Sequence, residues 1–147
     1  MMKKILQSIE PFITTSEFAQ IFLVPTVVLF IHTFLGLVVR IYNFWPWFDM
    51  PMHFLGGVSI AIGSWVFFRI LERKGFTRNI PVLLRLFFIL SFVALSAVGW
   101  EIIEFIGDRL FAEDMQESAF DTMIDLILGL SGGLVVGIIV HLFGKKI

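Results

Sequence analysis

Four stretches of this chain are apolar for long enough to cross a bilayer, and each is bounded by polar punctuation. Roughly 20 apolar residues in helical form suffice for a crossing. The first stretch covers about residues 18–40, Phe18 to Arg40, with Pro25 and His32 inside it. Pro25 predicts a kink. Thr14 and Glu17 stand at capping-box spacing just before it, which predicts a helix start there. The second stretch, about 50–71, opens with Asp49-Met50-Pro51-Met52-His53. Pro51 suits a first helical turn and Asp49 an N-cap. Its middle is built from small residues, among them Gly56, Gly57, Ser59, Ala61 and Gly63, which predicts close helix packing. The third, about 80–107, opens near Pro81 and closes on Val98–Asp108. The fourth, about 119–143, repeats Gly129, Gly133 and Gly137 every four residues on one face. That face predicts tight packing on a neighbour, within the chain or in a homo-oligomer. Ahead of all four, residues 1–16 carry Lys3 and Lys4 before Ile5, Leu6 and Ile9, with Pro11 as a break. This pattern predicts a short interfacial helix.

The predicted architecture is therefore an all-α integral membrane protein: four transmembrane helices in a compact bundle, forming a single membrane domain over residues 1–147. Composition agrees. Of the 147 residues, 58% are hydrophobic, and a soluble domain of this size has too little interior to hide them. The chain has no Cys, which excludes disulfides, thiolate metal ligands and a cysteine nucleophile. It has no long basic tract of the kind that binds nucleic acid. The first apolar run lacks a cleavage pattern, so no cleavable signal peptide is expected.

Charge then orients the bundle. Arg69, Arg73, Lys74, Arg78 and Arg85 surround the loop between the second and third spans, and Lys3, Lys4, Lys145 and Lys146 sit at the termini. These nine basic residues face only Glu10, Glu17 and Glu72, leaving +6 on that side. The other side holds nine acids (Asp49, Glu101, Glu104, Asp108, Glu113, Asp114, Glu117, Asp121 and Asp125) against Arg40 and Arg109, leaving −7. The positive-inside rule puts both termini in the cytoplasm, and the expected location is the inner membrane of a prokaryote. Tyr42, Trp45 and Trp47 then read as an interfacial aromatic belt on the opposite side.

That topology gathers the acids. Asp49 and His53 stand at i, i+4, Glu101 and Glu104 at i, i+3, and Asp121 and Asp125 at i, i+4, so each pair shares a helix face. Three helices deliver six oxygen or nitrogen donors to one depth. Such a set suits a divalent cation such as Mg²⁺, Mn²⁺ or Zn²⁺. Without a cation, six groups this close cannot all be ionised, and protonated carboxylates bonded to one another are the competing arrangement. A first-turn acid such as Asp121 is also favoured by the helix dipole alone. Glu101 and Glu104 have no such excuse, because they stand near a helix C-terminus and are followed by Phe105 and Ile106. His53 and Glu104 are the candidates for proton transfer. Arg40, Asp108 and Trp100 are the candidates for contacting a substrate. Trp100 also suits packing or interfacial anchoring, His32 a buried structural role, and His141 the inner interface.

The runs Asp49-Met50-Pro51-Met52-His53-Phe54-Leu55-Gly56-Gly57, Gly99-Trp100-Glu101-Ile102-Ile103-Glu104-Phe105 and Asp121-Thr122-Met123-Ile124-Asp125 resemble the motifs of a YjdF-type family of small prokaryotic membrane proteins. More distantly they are similar to the VanZ-like proteins, from which Asp125 departs where many of those have Asn. The resemblance covers roughly residues 45–140. It implies a membrane setting for these residues and no particular reaction.

Two classes of function fit these observations. In the first, a metal at the outer interface serves hydrolysis of a lipid phosphate. In the second, a non-enzymatic protein uses the same acids to bind or carry a cation, a proton or a cationic lipid-like compound, or acts as an envelope accessory factor.

Overall fold

The computed structural model describes residues 12–77, 80–111 and 118–143. The predicted N-terminal interfacial helix lies almost wholly outside these residues. So do Arg78, the acids Glu113, Asp114 and Glu117, and the terminal Lys145 and Lys146.

Four long helices follow one another: α1 (Thr15–Phe34), α2 (Asp49–Arg73), α3 (Val82–Phe111) and α4 (Ala119–Phe143). Among the described residues these are the elements long and apolar enough to cross a membrane. They run alternately up and down. At one end Lys74, just past α2, meets Glu17 of α1 at 2.7 Å, and Glu72 of α2 pairs with Arg85 of α3. At the other end the start of α2 meets the late part of α3 and the early part of α4.

The predicted start of α1 forms as a capping box. The Glu17 N–H donates to Thr14 Oγ1 at 3.3 Å, and the Thr14 N–H donates to Glu17 Oε2 at 2.9 Å. Beyond Phe34 the helix loosens into a π turn, Leu35–Val39. It stops at Arg40, whose φ of 55° is left-handed and whose N–H closes on the Leu35 carbonyl. At the start of α2 the N-cap position falls on Phe48, with no side-chain cap bond, and Asp49 is the first helical residue. The expected cap is therefore absent, and the Asp49 carboxylate is left to other partners. The third span runs four residues beyond its expected end, to Phe111. Ser118 caps α4, accepting from the Asp121 N–H at 3.2 Å.

The helix at the centre is α2, which packs on all three others; α3 and α4 also pack on each other, whereas the α1 backbone packs on α2 and α1 meets α3 through the His32–Trp100 ring contact. The buried core joins Ala61 and Phe68 of α2, Ile89 and Val93 of α3, and Val136 of α4. Large apolar side chains such as Leu23, Phe30, Leu83, Leu95 and Ile127 point outward, as a lipid-facing surface requires.

Glycines set the closest approaches. A Cβ on Gly57 of α2 would overlap the Gly129 carbonyl of α4, and one on Gly132 of α4 would overlap the Phe54 carbonyl of α2. Gly133 and Gly137 meet Val93 and Leu86 of α3. The glycine face of α4 is thus occupied inside the chain. The α1–α2 contact uses a different device. Pro25 has no N–H to give the Ile21 carbonyl, and Gly63 packs against that carbonyl, where an added Cβ would lie 2.5 Å away. We expect Gly63→Ala to lower stability by about 1–2 kcal/mol, read as a lower melting temperature in detergent. The loss stays moderate because α1 is held from one side and can retreat.

Candidate metal centre

The site is organised around the imidazole of His53, which is 8% exposed. On its Nε2 side lie Asp49 Oδ2 at 3.1 Å, on the same helix one turn back, and Asp125 Oδ1 at 3.9 Å, from α4. On its Nδ1 side lies Glu101 Oε1 at 3.9 Å, from α3. Two groups of donor atoms result, each lying within 4.8 Å of one another: Asp49 with His53 and Asp125, and His53 with Glu101 and Glu104. Glu101, Glu104 and Asp125 are all buried, at 6%, 5% and 2% exposure.

Asp49 and His53 are in ion-pair contact, but two atoms of the cluster make no hydrogen bond. His53 Nε2 and Asp125 Oδ1 are fully buried, yet neither takes part in a hydrogen bond among the described residues. The 3.1 Å approach of Asp49 to Nε2 is not aligned as one. Burying polar atoms without a partner costs about 1–3 kcal/mol each, and more for a charge. Donor atoms 3–4 Å apart that point past each other have the geometry of ligands around a common centre.

The surroundings position these side chains. The Tyr42 hydroxyl donates to Asp49 Oδ1 at 3.3 Å. Burial first, and then the Asp49 carboxylate, push the Tyr42 phenol above its ordinary range, so it stays a neutral donor. Sequence reasoning treated Tyr42 only as a belt residue; its seven-residue separation from Asp49 across an irregular turn carried no periodic signal. The Trp100 indole N–H donates to Glu104 Oε1 at 2.7 Å, so Trp100 holds a candidate base as well as packing. Its ring stands edge-on against His32 of α1, with centroids 5.2 Å apart. Below the cluster, the Gly57–Gly129 contact lies one turn beyond His53 on α2 and one turn beyond Asp125 on α4. That backbone contact is what brings these two side chains together.

The remaining candidates are more dispersed. Asp121 sits half-buried in the first turn of α4 and belongs to neither donor group. Asp108 is half-buried one turn past Glu104 on α3, Arg40 is exposed in the connection before α2, and His141 is exposed in the last turn of α4. His32 lines a cavity of about 290 Å³ that also reaches His53 and Trp100.

No curated protein and no solved structure matches the chain. One family model does, over residues 12–146, and it is described as a predicted membrane protein family, DUF2238, which is the YjdF-type family. The likeness to VanZ-like proteins gains no support from that match. Since the matched region takes in all four helices and every residue of the His53 cluster, this chain belongs to the DUF2238 family of membrane proteins.

Proposed function

We propose that this protein holds a divalent cation at the Nε2 face of His53, through Asp49, His53 and Asp125, and uses it to hydrolyse the phosphate of a membrane lipid. The observation that carries the reading is a pair of buried atoms that make no hydrogen bond among the described residues, His53 Nε2 and Asp125 Oδ1, 3.9 Å apart with Asp49 beside them. Three protein ligands leave positions open, as hydrolytic metal sites require. The donor set of two carboxylates and one imidazole suits Mn²⁺ or Zn²⁺, and Mg²⁺ with retained waters. A cation there supplies a polarised phosphoryl oxygen and a more acidic water.

The chain's own residues have definite tasks in this reading. Coordination through Nε2 requires the His53 proton on Nδ1, and Glu101 Oε1 faces that nitrogen. Glu104, pinned by Trp100, lies on the same side as Glu101 and is the base. The water oxygen bonds to phosphorus as the lipid P–O bond breaks; Glu104 takes a water proton and returns it to the leaving lipid oxygen. With the basic end of the bundle in the cytoplasm, this chemistry takes place at the outer interface.

The test is phosphate release by purified protein in nanodiscs containing phosphatidic acid, with Mg²⁺, Mn²⁺ or Zn²⁺ supplied in turn. Release that falls at least 100-fold in Asp125→Asn and Glu104→Gln supports the reading, since one positioned acid–base group is worth roughly 10²–10⁴ in rate. Metal bound with no phosphate released overturns hydrolysis and turns the same site to cation carriage.

A further inference from the structure

The 290 Å³ cavity is a cleft whose floor is α2 and whose two walls are α1 and α3. Its interior is closed by buried side chains, Met52 of α2 at 6% exposure and Val93 of α3 at 1%. Its rim is open. Leu29 on the α1 wall is 49% exposed and Ile103 on the α3 wall 57%. The backbones of the two walls do not approach each other, and the walls meet through the His32–Trp100 ring contact at the acidic end. Within a bilayer, a slot bounded by α1 and α3 at mid-helix faces acyl chains rather than water. Its lining is almost wholly apolar, which suits neither a hydrated ion nor a headgroup. Near the acidic end it is crossed by the His32–Trp100 ring pair and touches His53.

We infer that this cleft binds one hydrocarbon chain of a membrane amphiphile, entering sideways between α1 and α3, with its anionic phosphate headgroup at the His53 cluster. The headgroup half rests on the metal reading above; the hydrocarbon half stands on the cavity. Three features fix the occupant. The entrance opens onto lipid. The apolar walls match an alkyl or isoprenyl chain. The polar end is a cation site, complementary in charge to a phosphate and in reach of the same molecule. The floor also explains a gap in the packing: a Cβ on Gly56 would meet nothing within 4 Å, although Gly57 beside it is in backbone contact.

Gly56 supplies the test, because it lines the cleft and a Cβ there meets nothing within 4 Å, so a larger side chain reaches into the cleft space. The probe is phosphatidic acid with a diazirine in one acyl chain, reconstituted with the protein in nanodiscs, photolysed and mapped by peptide mass spectrometry. Diacylglycerol with the same diazirine chain is the headless control. We expect label on Val28 and Leu29 of α1 and Ala97 and Ile103 of α3, falling at least five-fold in Gly56→Leu. Label on outward residues such as Leu23 and Leu83 should be unchanged. Ser96→Leu, on the opposite wall, repeats the test should Gly56→Leu fold poorly. Labelling confined to the outer surface, or indifferent to both substitutions, overturns the cleft. Parallel metal analysis separates the two readings. Cleft labelling that survives chelation in a protein that never binds metal keeps the hydrocarbon site and removes the cation. Preference for phosphatidic acid over diacylglycerol only with metal bound supports both. Bound metal without cleft labelling removes the hydrocarbon site alone.

Discussion

Protein loaded with Mn²⁺ or Zn²⁺ will melt roughly 5–10 °C above the same protein in chelator, and Asp125→Asn will reverse its order against the parent between the two conditions. At a metal concentration 100-fold above Kd, binding to the folded state adds about 2.7 kcal/mol, and each kcal/mol moves the melting point of a chain this size by about 2–4 °C. The reversal follows from the charge of the empty cluster. Asp49, Glu101, Glu104 and Asp125 crowd four carboxyl groups around one imidazole, three of them buried. Without a cation some of them must take up protons or repel one another. Asp125→Asn removes one of the four at almost constant volume. In chelator the variant should therefore melt above the parent, and with metal below it. A purely structural aspartate predicts otherwise: the variant would be weaker in both conditions, by the 1–3 kcal/mol of a lost buried partner. Stoichiometric metal in the parent, measured by elemental analysis and lost in the variant, completes the test. A parent that binds no metal and does not respond to chelation would leave the cluster as a network of protonated acids.

Local chemistry in the sequence was a sound guide wherever a signal lay within one helix. The Thr14–Glu17 box follows from a spacing of three, the four spans from the length of their apolar runs, and the close seating of Gly133 and Gly137 from a spacing of four. The gathering of acids at one end followed from charge asymmetry together with an even number of crossings. What spacing does not encode is the azimuth of one helix against another. Asp49/His53, Glu101/Glu104 and Asp121/Asp125 were equivalent pairs on paper. In the fold, the imidazole divides them: Asp49 and Asp125 face Nε2, Glu101 faces Nδ1 with Glu104 grouped beside it, and Asp121 stands apart. That division depends on how deeply Gly57 seats on Gly129, a tertiary quantity. The cleft was invisible for a related reason. A gap exists because the α1 backbone is drawn onto α2 at Gly63 and Ile21, near the basic end, while it meets α3 through the His32–Trp100 rings and not by backbone packing. Nothing in an apolar run says which neighbour it will lack. Asp49 suits both a cap and a site role by its place in the sequence; in the fold Phe48 takes the cap position and Tyr42 engages the carboxylate.

The glycine seat beneath the cluster leads to the other large effect. Gly57→Ala should cost about 3 kcal/mol or more, at or above the upper range for one methyl forced into a closed core. Most overpacking is relieved when a side chain changes rotamer. Here the obstacle is the Gly129 carbonyl, backbone of a helix itself held between α2 and α3. Relief requires α4 to move away bodily, and that also lifts Gly132 off the Phe54 carbonyl. Because His53 and Asp125 stand one turn from this contact, the same displacement pulls the two ligands apart. Gly57→Ala should therefore lose the metal-induced rise in melting temperature as well as baseline stability, although it alters no ligand. Its neighbour is the control. Gly56→Ala places its methyl in open cleft and replaces a poor helix former, so it should be neutral or stabilising by up to about 1 kcal/mol, with the metal response intact. Two adjacent residues, one substitution and opposite outcomes isolate backbone seating from helix propensity, which is the same at both positions. A Gly57→Ala protein that melts with the parent would mean that α2 and α4 do not meet there. One that is destabilised yet still gains fully from metal would mean that the cation is held without Asp125.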